Sequence, residues 1–393
     1  MRTIRADEYC KFVTDGTHDS PKQVDKGRKL ITSKHLGRYG INFEGAKNIS
    51  ELDYQKVISR SKVEQWDILF STIGNLYLER NHKIEYACKN MGIFQLGGDE
   101  SKAKWLYYYL QTPKAKEYIE TSGRGTTQSY VPLAALRALP VDVVDDFTRD
   151  KIIKILWDID EKILTNQQVN ENLLQQALAI YKAWFCDFVL SDGVLPESWH
   201  ITTIDALSSL VTRGIAPKYD NSSNQIVLNQ KCIRDHTIDV SLARRHLPKK
   251  INEKWVSKGD LLINSTGTGT LGRVAQVWFD ANNMTVDSHV TIVRPKAPIL
   301  QSYIGFWGLS HESEIEAQHT GSTGQTELPR DRVKAMELPL PDEDTLSKFN
   351  ELVIPMTDAV VSNQKENAQL SQLRDTLLPK LMSGEIDVAE LEL

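Results

Sequence analysis

The chain has 393 residues, 40% apolar and 25% charged, with a net charge of −5; this fits two or three globular domains and excludes a disordered chain. No apolar run approaches the roughly 18 residues that span a bilayer, and the opening MRTIRADEYCKF lacks the apolar core of a secretory signal. Cys10, Cys88, Cys186 and Cys232 lie far apart, which excludes a disulfide scaffold or zinc ribbon and fits a reducing cytoplasm.

In chain order, residues 1–145 read as a mixed α/β block. It opens on the turn-rich loop Asp15-Gly-Thr-His-Asp-Ser-Pro-Lys22, followed by a strand over 65–72 and helices over 101–111 and 113–121. A Gly/Ser/Thr loop over 122–128 comes next. A long helix is expected within 146–190. Residues 191–340 form a second block, with strands over 260–265, 273–279 and 290–295, helices over 301–310 and 312–318, and another Gly/Ser/Thr loop over 320–325. A second long helix and a tail occupy 341–393. The charge follows this division. Residues 1–145 carry 22 Lys and Arg against 18 Asp and Glu, and residues 194–340 carry 16 against 15. Residues 146–193 carry 5 against 8, and residues 341–393 carry 4 against 11. The whole-chain charge therefore neither excludes nor favours a nucleic-acid partner.

The chain is written twice. Asn166-Gln-Gln-Val-Asn-Glu-Asn-Leu173 resembles Asn363-Gln-Lys-Glu-Asn-Ala-Gln-Leu370, and Ile31-Thr-Ser-Lys-His-Leu36 faces Leu228-Asn-Gln-Lys-Cys-Ile233, both at an offset of 197. Trp66-Asp-Ile-Leu-Phe-Ser71 resembles Gly259-Asp-Leu-Leu-Ile-Asn264, and Leu139-Pro140 matches Leu338-Pro339.

Both long helices carry a seam at alternating spacings of four and three. The first runs Ile152, Leu156, Ile159, Ile163, Asn166, Asn170, Leu173, Ala177, Ile180, Trp184; the second runs Phe349, Val353, Met356, Val360, Asn363, Asn367, Leu370, Arg374, Leu377, Leu381. Such a 3.5-residue period marks a coiled coil. A core helix packed on its own block is the alternative, but about 40 residues rise about 60 Å, too long for one block to cover. Central Asn layers fix register when they meet polar partners. The expectation is an antiparallel intramolecular pair with Asn166 and Asn170 facing Asn363 and Asn367, and the blocks related by a pseudo-two-fold axis. Pro355 should bend the second helix, and Pro379 should end or kink its last turn.

Gly267-Thr-Gly-Thr-Leu-Gly272 matches a dinucleotide-binding pattern, but the next residues alternate like a strand rather than opening a helix, so a glycine-rich strand connection is expected. The methyl-transfer signature N-P-P-[FY] or D-P-P-[FY] is absent, as are the Walker A, H-E-x-x-H and G-x-S-x-G motifs. Asp15, His18 and Asp19 could form part of a metal site, but no further ligands lie nearby in sequence; phosphate or base contact by Thr17, His18 and Lys22 is the better reading.

These residues resemble the specificity subunits of Type I restriction–modification systems. The resemblance spans essentially the whole chain. It rests on the DGTHDSPK stretch with Leu30-Ile-Thr-Ser-Lys34, the Trp66 and Gly259 runs, and the two Asn-bearing helices. It rests also on the ending Leu377-Leu-Pro-Lys-Leu-Met-Ser-Gly-Glu-Ile386, and on Gly214-Ile-Ala-Pro-Lys-Tyr219 and Leu261–Gly267 in the second block. The resemblance implies a non-catalytic subunit in the cytoplasm, whose blocks are target recognition domains, each reading half of a split, asymmetric site in double-stranded DNA. It implies that the helices set the gap and dock two modification subunits, which bind S-adenosylmethionine and methylate adenine N6. Two restriction (motor-nuclease) subunits, using ATP and Mg, complete the complex, with no cofactor or metal on this chain and no membrane partner.

The loops are the expected DNA contacts. In block one these are Thr17, His18, Lys22, Ser33, Lys34, Arg124, Thr126, Thr127 and Gln128. In block two they are Lys218, Tyr219, Asn229, Gln230, Lys231, Arg234, Arg244, Arg245, Thr266, Thr268, Arg273, Ser322, Thr323 and Gln325. Arg and Lys suit guanine or phosphate, and Asn and Gln suit adenine. Solvated surface groups are the alternative for each. Lys34 and Lys231 occupy matching places in the two copies. Two rival readings remain: a coiled-coil adaptor with two protein-binding modules, and a DNA methyltransferase in its own right.

Overall fold

A computed structural model describes residues 2–71, 75–123, 130–247, 251–267, 269–321 and 326–389. The chain is mixed α/β and divides into two compact units: Met1–Thr165 with Glu366–Leu393, and Asn166–Lys365. Each unit therefore combines one block with a part of each long helix. No described helix is long and apolar enough to cross a membrane.

In unit one the strands are β1 (Arg2–Arg5), β2 (Phe12–Asp15), β3 (Arg28–Ile31), β4 (Lys47–Ile49), β5 (Ile68–Ser71), β6 (Leu76–Leu78), β7 (Tyr86–Cys88), β8 (Met91–Gln95) and β9 (Pro140–Val143). They form an antiparallel sheet in the order β2-β8-β5-β6, a smaller sheet β4-β3-β7 whose β3–β7 pair is parallel, and the pair β1-β9. In unit two the strands are β10 (His200–Thr203), β11 (Ser208–Arg213), β12 (Ile226–Leu228), β13 (Ile233–Arg234), β14 (Thr237–Ile238), β15 (Arg244–Arg245), β16 (Leu261–Asn264), β17 (Val274–Gln276), β18 (Met284–Val286), β19 (Val290–Pro295) and β20 (Glu337–Leu340). Their orders are β11-β19-β16-β17, β15-β12-β18 with β12–β18 parallel, and β10-β20. The plan is the same in both units. The copies differ in that β4 leads into the helix Glu51–Ser61, whereas unit two adds the β13–β14 hairpin.

Two features shared by the copies have clear physical causes. Trp66 and Gly259 both adopt positive φ (69° and 93°), so the position needs left-handed backbone; glycine meets that freely and tryptophan at a cost. The next residue, Asp67 or Asp260, closes the turn by accepting the N–H of Glu64 (2.9 Å) or Ser257 (2.8 Å). Gly16 and Gly214 end β2 and β11 against a passing backbone. A Cβ there would stand 2.4 Å from the Cys88 carbonyl oxygen or 1.9 Å from that of Val286.

The long helices are Asp146–Phe185 and Glu343–Ser383. Both start on the same cap: Asp145 Oδ1 accepts the Thr148 N–H (2.9 Å) and Asp342 Oδ1 accepts the Thr345 N–H (2.8 Å). Every seam position named above is buried or half-buried. In unit one Arg374 meets Asp160 (2.7 Å) and the Asn367 amide donates to the Ile163 carbonyl (3.4 Å), so the two segments run antiparallel. In unit two the Asn363 amide donates to Asn170 Oδ1 (2.8 Å) and the Tyr181 ring packs on Phe349, again antiparallel. Pro379 does not end the second helix, which continues to Ser383, nor does Pro355 interrupt it. Each proline deletes one donor, while Leu378, Leu381 and Met382 on one side and Val353 and Val360 on the other hold the backbone to its core.

Unit one has a core built from the helix Glu100–Tyr109, the starts of the first long helix and the tail, where Leu377, Leu378, Leu381, Met382, Ile386 and Val388 pack beside Trp105, Ile152 and Leu156. In unit two the corresponding core is aromatic: Tyr181, Phe185, Trp199, Tyr303, Phe306 and Phe349. A second, smaller cluster lies under the sheets of each block, around Ile31 and Ile93 in one and Leu228 and Ile292 in the other. Gly267–Gly272 connects β16 to its antiparallel neighbour β17, as the strand-like residues after it require.

Burial pushes the Asp67 carboxyl up to about 6, against the pull of its Glu64 and Leu96 N–H donors. The folded chain therefore holds this proton more tightly than the unfolded chain. The resulting stability is complete below the unfolded value of 3.8 and is lost as pH rises through about 6. Between about pH 5 and about pH 7.5, urea titrations should show wild type losing about 1.4 kcal/mol relative to Asp67→Asn. Parallel pH curves for the two proteins would remove Asp67 as the cause.

Candidate nucleic-acid interface

In unit one the residues expected to contact DNA sort into inward and outward groups. Thr17 is buried; its hydroxyl accepts the Asp19 N–H (3.1 Å) and its backbone bridges to Lys89, so it shapes the turn rather than facing solvent. His18 is exposed and held from both sides, by Asp15 (2.8 Å) and Asn90 (3.1 Å). Arg60 closes on the other oxygen of Asp15 at 3.2 Å. Asp15, His18 and Asn90 rim a cleft of about 480 Å³ whose apolar wall includes Phe70, Met91 and Leu136. Lys22 is exposed on the irregular segment that follows.

Ser33 and Lys34 lie on a single 3-10 turn, Ser33–His35, directly after β3. The turn is fixed by His35, whose Nδ1 takes the Thr32 N–H (2.9 Å). Burial, reinforced by Lys34, lowers the His35 pKa and favours the neutral ring that can accept this bond. Ser33 is half-buried, with its carbonyl taken by Asn75 (3.1 Å), and Lys34 is exposed. Arg124, Thr126, Thr127 and Gln128 lie outside the described residues.

Unit two repeats the turn. Gln230–Cys232 follows β12, and Asn229 caps it by accepting the Lys231 N–H (2.9 Å) while donating to the Leu242 carbonyl (3.3 Å). Lys231 is exposed, as Lys34 is in unit one. Gln230 turns inward: its amide donates to the Thr266 hydroxyl (2.8 Å), which itself lies 2.8 Å from His289 Nδ1. Gln230 and Thr266 thus tie the turn to the end of β16. Arg273 is half-buried at the end of the glycine-rich connection, where its carbonyl takes the Asn264 N–H (2.9 Å).

The outward cations of unit two gather on an edge strand. Arg244 and Arg245 form β15, the edge of the smaller sheet, and both are exposed. The Arg244 guanidinium lies 3.3 Å from the ring centre of exposed Tyr219, and Arg245 donates to the Ser223 carbonyl (3.0 Å). A guanidinium laid on an aromatic face loses little further freedom when it pairs with a planar acceptor. Lys218 is exposed beside Tyr219, and Arg234 is exposed on the β13–β14 hairpin. Thr268, Ser322, Thr323 and Gln325 lie outside the described residues. Among the described residues no three His, Cys, Asp or Glu converge in a metal-holding group, and Asp15, His18 and Asp19 are not brought together as one.

Sequence reasoning missed Asn90, which holds His18, Arg60, which pairs with Asp15, and Arg213, which stands at the end of β11 and pairs with Glu327 (2.6 Å). It missed the two Asp-x-x-Thr caps, whose signal was legible: the same spacing opens both acidic segments.

The family model described as Type I restriction modification DNA specificity domain matches residues 22–175. The Type I restriction enzyme MjaIX specificity subunit of Methanocaldococcus jannaschii is 23% identical, over 92% of this chain and 87% of that protein. The HindI specificity subunit of Haemophilus influenzae is 21% identical, over 86% of this chain and 90% of that protein. The crystal structure of the Type I restriction–modification S subunit from M. genitalium shares the fold, with a TM-score of 0.57 at 16% identity, covering 97% of this chain and 95% of that one.

The inward and outward groups should separate on DNA. With the full chain on a duplex, Lys34→Ala and Lys231→Ala should each make the slope of log affinity against log salt shallower by about 0.9. Thr266→Val should lower the unfolding midpoint and leave that slope unchanged. A slope unmoved by either lysine would sink the assignment of these turns to phosphate.

Proposed function

We propose a division of labour within this chain, which belongs to the family of Type I restriction–modification specificity subunits. Each block reads one half of a bipartite, asymmetric DNA site, and the two long helices set the gap between the halves. In this reading the helices form an antiparallel intramolecular coiled coil, the blocks are related by a pseudo-two-fold axis, and residues 1–145 and 191–340 are the target recognition domains. The observation that carries it is the pair of matching capped turns: the same sheet plan offers an exposed lysine, Lys34 or Lys231, at the same place in both units. The surroundings of the two turns differ, so the two half-sites differ.

The acidic helices suit protein docking better than DNA contact. They would receive two modification subunits, which bring S-adenosylmethionine and methylate adenine; two restriction subunits, bringing ATP and Mg, would join these. The chain itself would act without catalysis or a cofactor, in the cytoplasm. Because the blocks carry little net charge, much of the phosphate neutralisation would come from the partners, and binding by this chain alone would be weak and steeply salt-dependent.

Co-expression with a modification subunit, followed by mapping of methylated adenines, tests the reading. The expected product is a split, asymmetric motif with a fixed gap, in which exchange of either block for that of a relative changes one half only. A complex that assembles yet methylates nothing selectively would favour the adaptor alternative. S-adenosylmethionine turnover by the isolated chain would favour a methyltransferase.

A further inference from the structure

In unit one the first long helix carries a carboxylate that water does not reach: Asp160 is 0% exposed. Groups from three other segments converge on it. The Tyr39 hydroxyl donates to Oδ1 (2.9 Å), the Tyr108 hydroxyl donates to Oδ2 (2.9 Å), and Arg374 Nη1 donates to Oδ1 (2.7 Å). Arg38 adds a second positive charge at 3.6 Å. Arg374 Nη1 also donates to the Tyr39 hydroxyl (3.1 Å), while its Nε and Nη2 meet Asp375. Desolvation offsets much of what such a buried pair contributes to stability, so its better use is to fix one geometry.

What it fixes is the piece that carries Lys34. The segment following the Ser33–His35 turn folds back on itself through Leu36 bridging Ile41, the Gly37 N–H on the Gly40 carbonyl (2.9 Å) and the Asn42 N–H on the His35 carbonyl (2.9 Å). Tyr39 sits at the tip of this small closed loop, so its hydroxyl bond, beside the longer Arg38 pair, ties the lysine-bearing turn to the helix. Among the described residues unit two has no such tie. At the offset of 197, Asp160 corresponds to Thr357 and Arg374 to Ala177, and the Lys231 turn runs on into the β13–β14 hairpin.

We propose that Asp160 is a positioning residue: through Tyr39 it indexes the Lys34 turn to the helix pair of unit one, and this sets how sharply block one discriminates its half-site. The inference rests on the bipartite reading above. Tyr39→Phe removes the hydroxyl that joins the loop to Asp160 and Arg374, and leaves the longer Arg38 pair in place. Tyr108→Phe removes a comparable bond to the same carboxylate, but from the helix Glu100–Tyr109, which does not carry the turn. Each variant would be co-expressed with the modification subunit and challenged with single-base variants of each mapped half-site. Tyr39→Phe should lose about fivefold in selectivity at the half-site that block exchange assigns to block one, and nothing at the other. Tyr108→Phe should lower the unfolding midpoint with both selectivities intact. Equal effects of the two variants, or unchanged selectivity in Tyr39→Phe, would overturn the positioning role while leaving the wild-type motif standing. A wild-type complex that yields no split motif would overturn the bipartite reading and this inference with it.

Discussion

An apolar stripe along 40 helical residues must be covered, and no single block of this size can cover it all. That constraint shapes the rest of the molecule. In each unit the stripe of one long helix is met by the other helix on one side and by the block's own core on another. Polar seam residues meet partners on the facing helix, as Asn363 meets Asn170 and Arg374 meets Asp160.

The two units satisfy the same constraint with different chemistry. Unit two seats its block on the helices through rings: Phe185 lies 4.9 Å from Tyr303 and 5.0 Å from Phe349, centre to centre. Rings tolerate small slips, because their packing energy is spread over many weak contacts. Unit one uses a buried carboxylate that accepts from groups at fixed places, and such bonds weaken steeply when angle or distance changes. A shared sheet plan therefore does not imply equal tolerance for movement of the block against the helices.

The long helices and the repeat were legible because period and offset survive divergence. A seam needs only apolar character every three or four residues, and the cap Asp-x-x-Thr recurs where each helix begins. The alternation of Trp66 and Gly259 before an aspartate hid its cause, since two such unlike side chains share only a backbone angle. The direction of a loop side chain was not legible at all. Gln230 and Lys231 are neighbours and both flexible hydrogen-bond donors, yet one closes on Thr266 and the other faces solvent. That choice belongs to the partners across the fold, here β16 and His289, which sequence order does not reveal. Arg374 stood in the seam as an anomaly; its partner Asp160 is one residue away from the seam position expected on the other helix.

The division of the chain also orders events during synthesis. Unit two is continuous, residues 166–365, and holds all its contacts before the last segment leaves the ribosome. Unit one needs Leu378, Leu381 and Met382 to complete a core begun by Tyr9 and Trp105 more than 250 residues earlier. Block one must therefore wait, with Ile152 and Leu156 only partly covered, until translation has passed through all of unit two. The unit that was written first is finished last, and its half-built core is the interval in which a nascent chain of this design most needs protection from its neighbours.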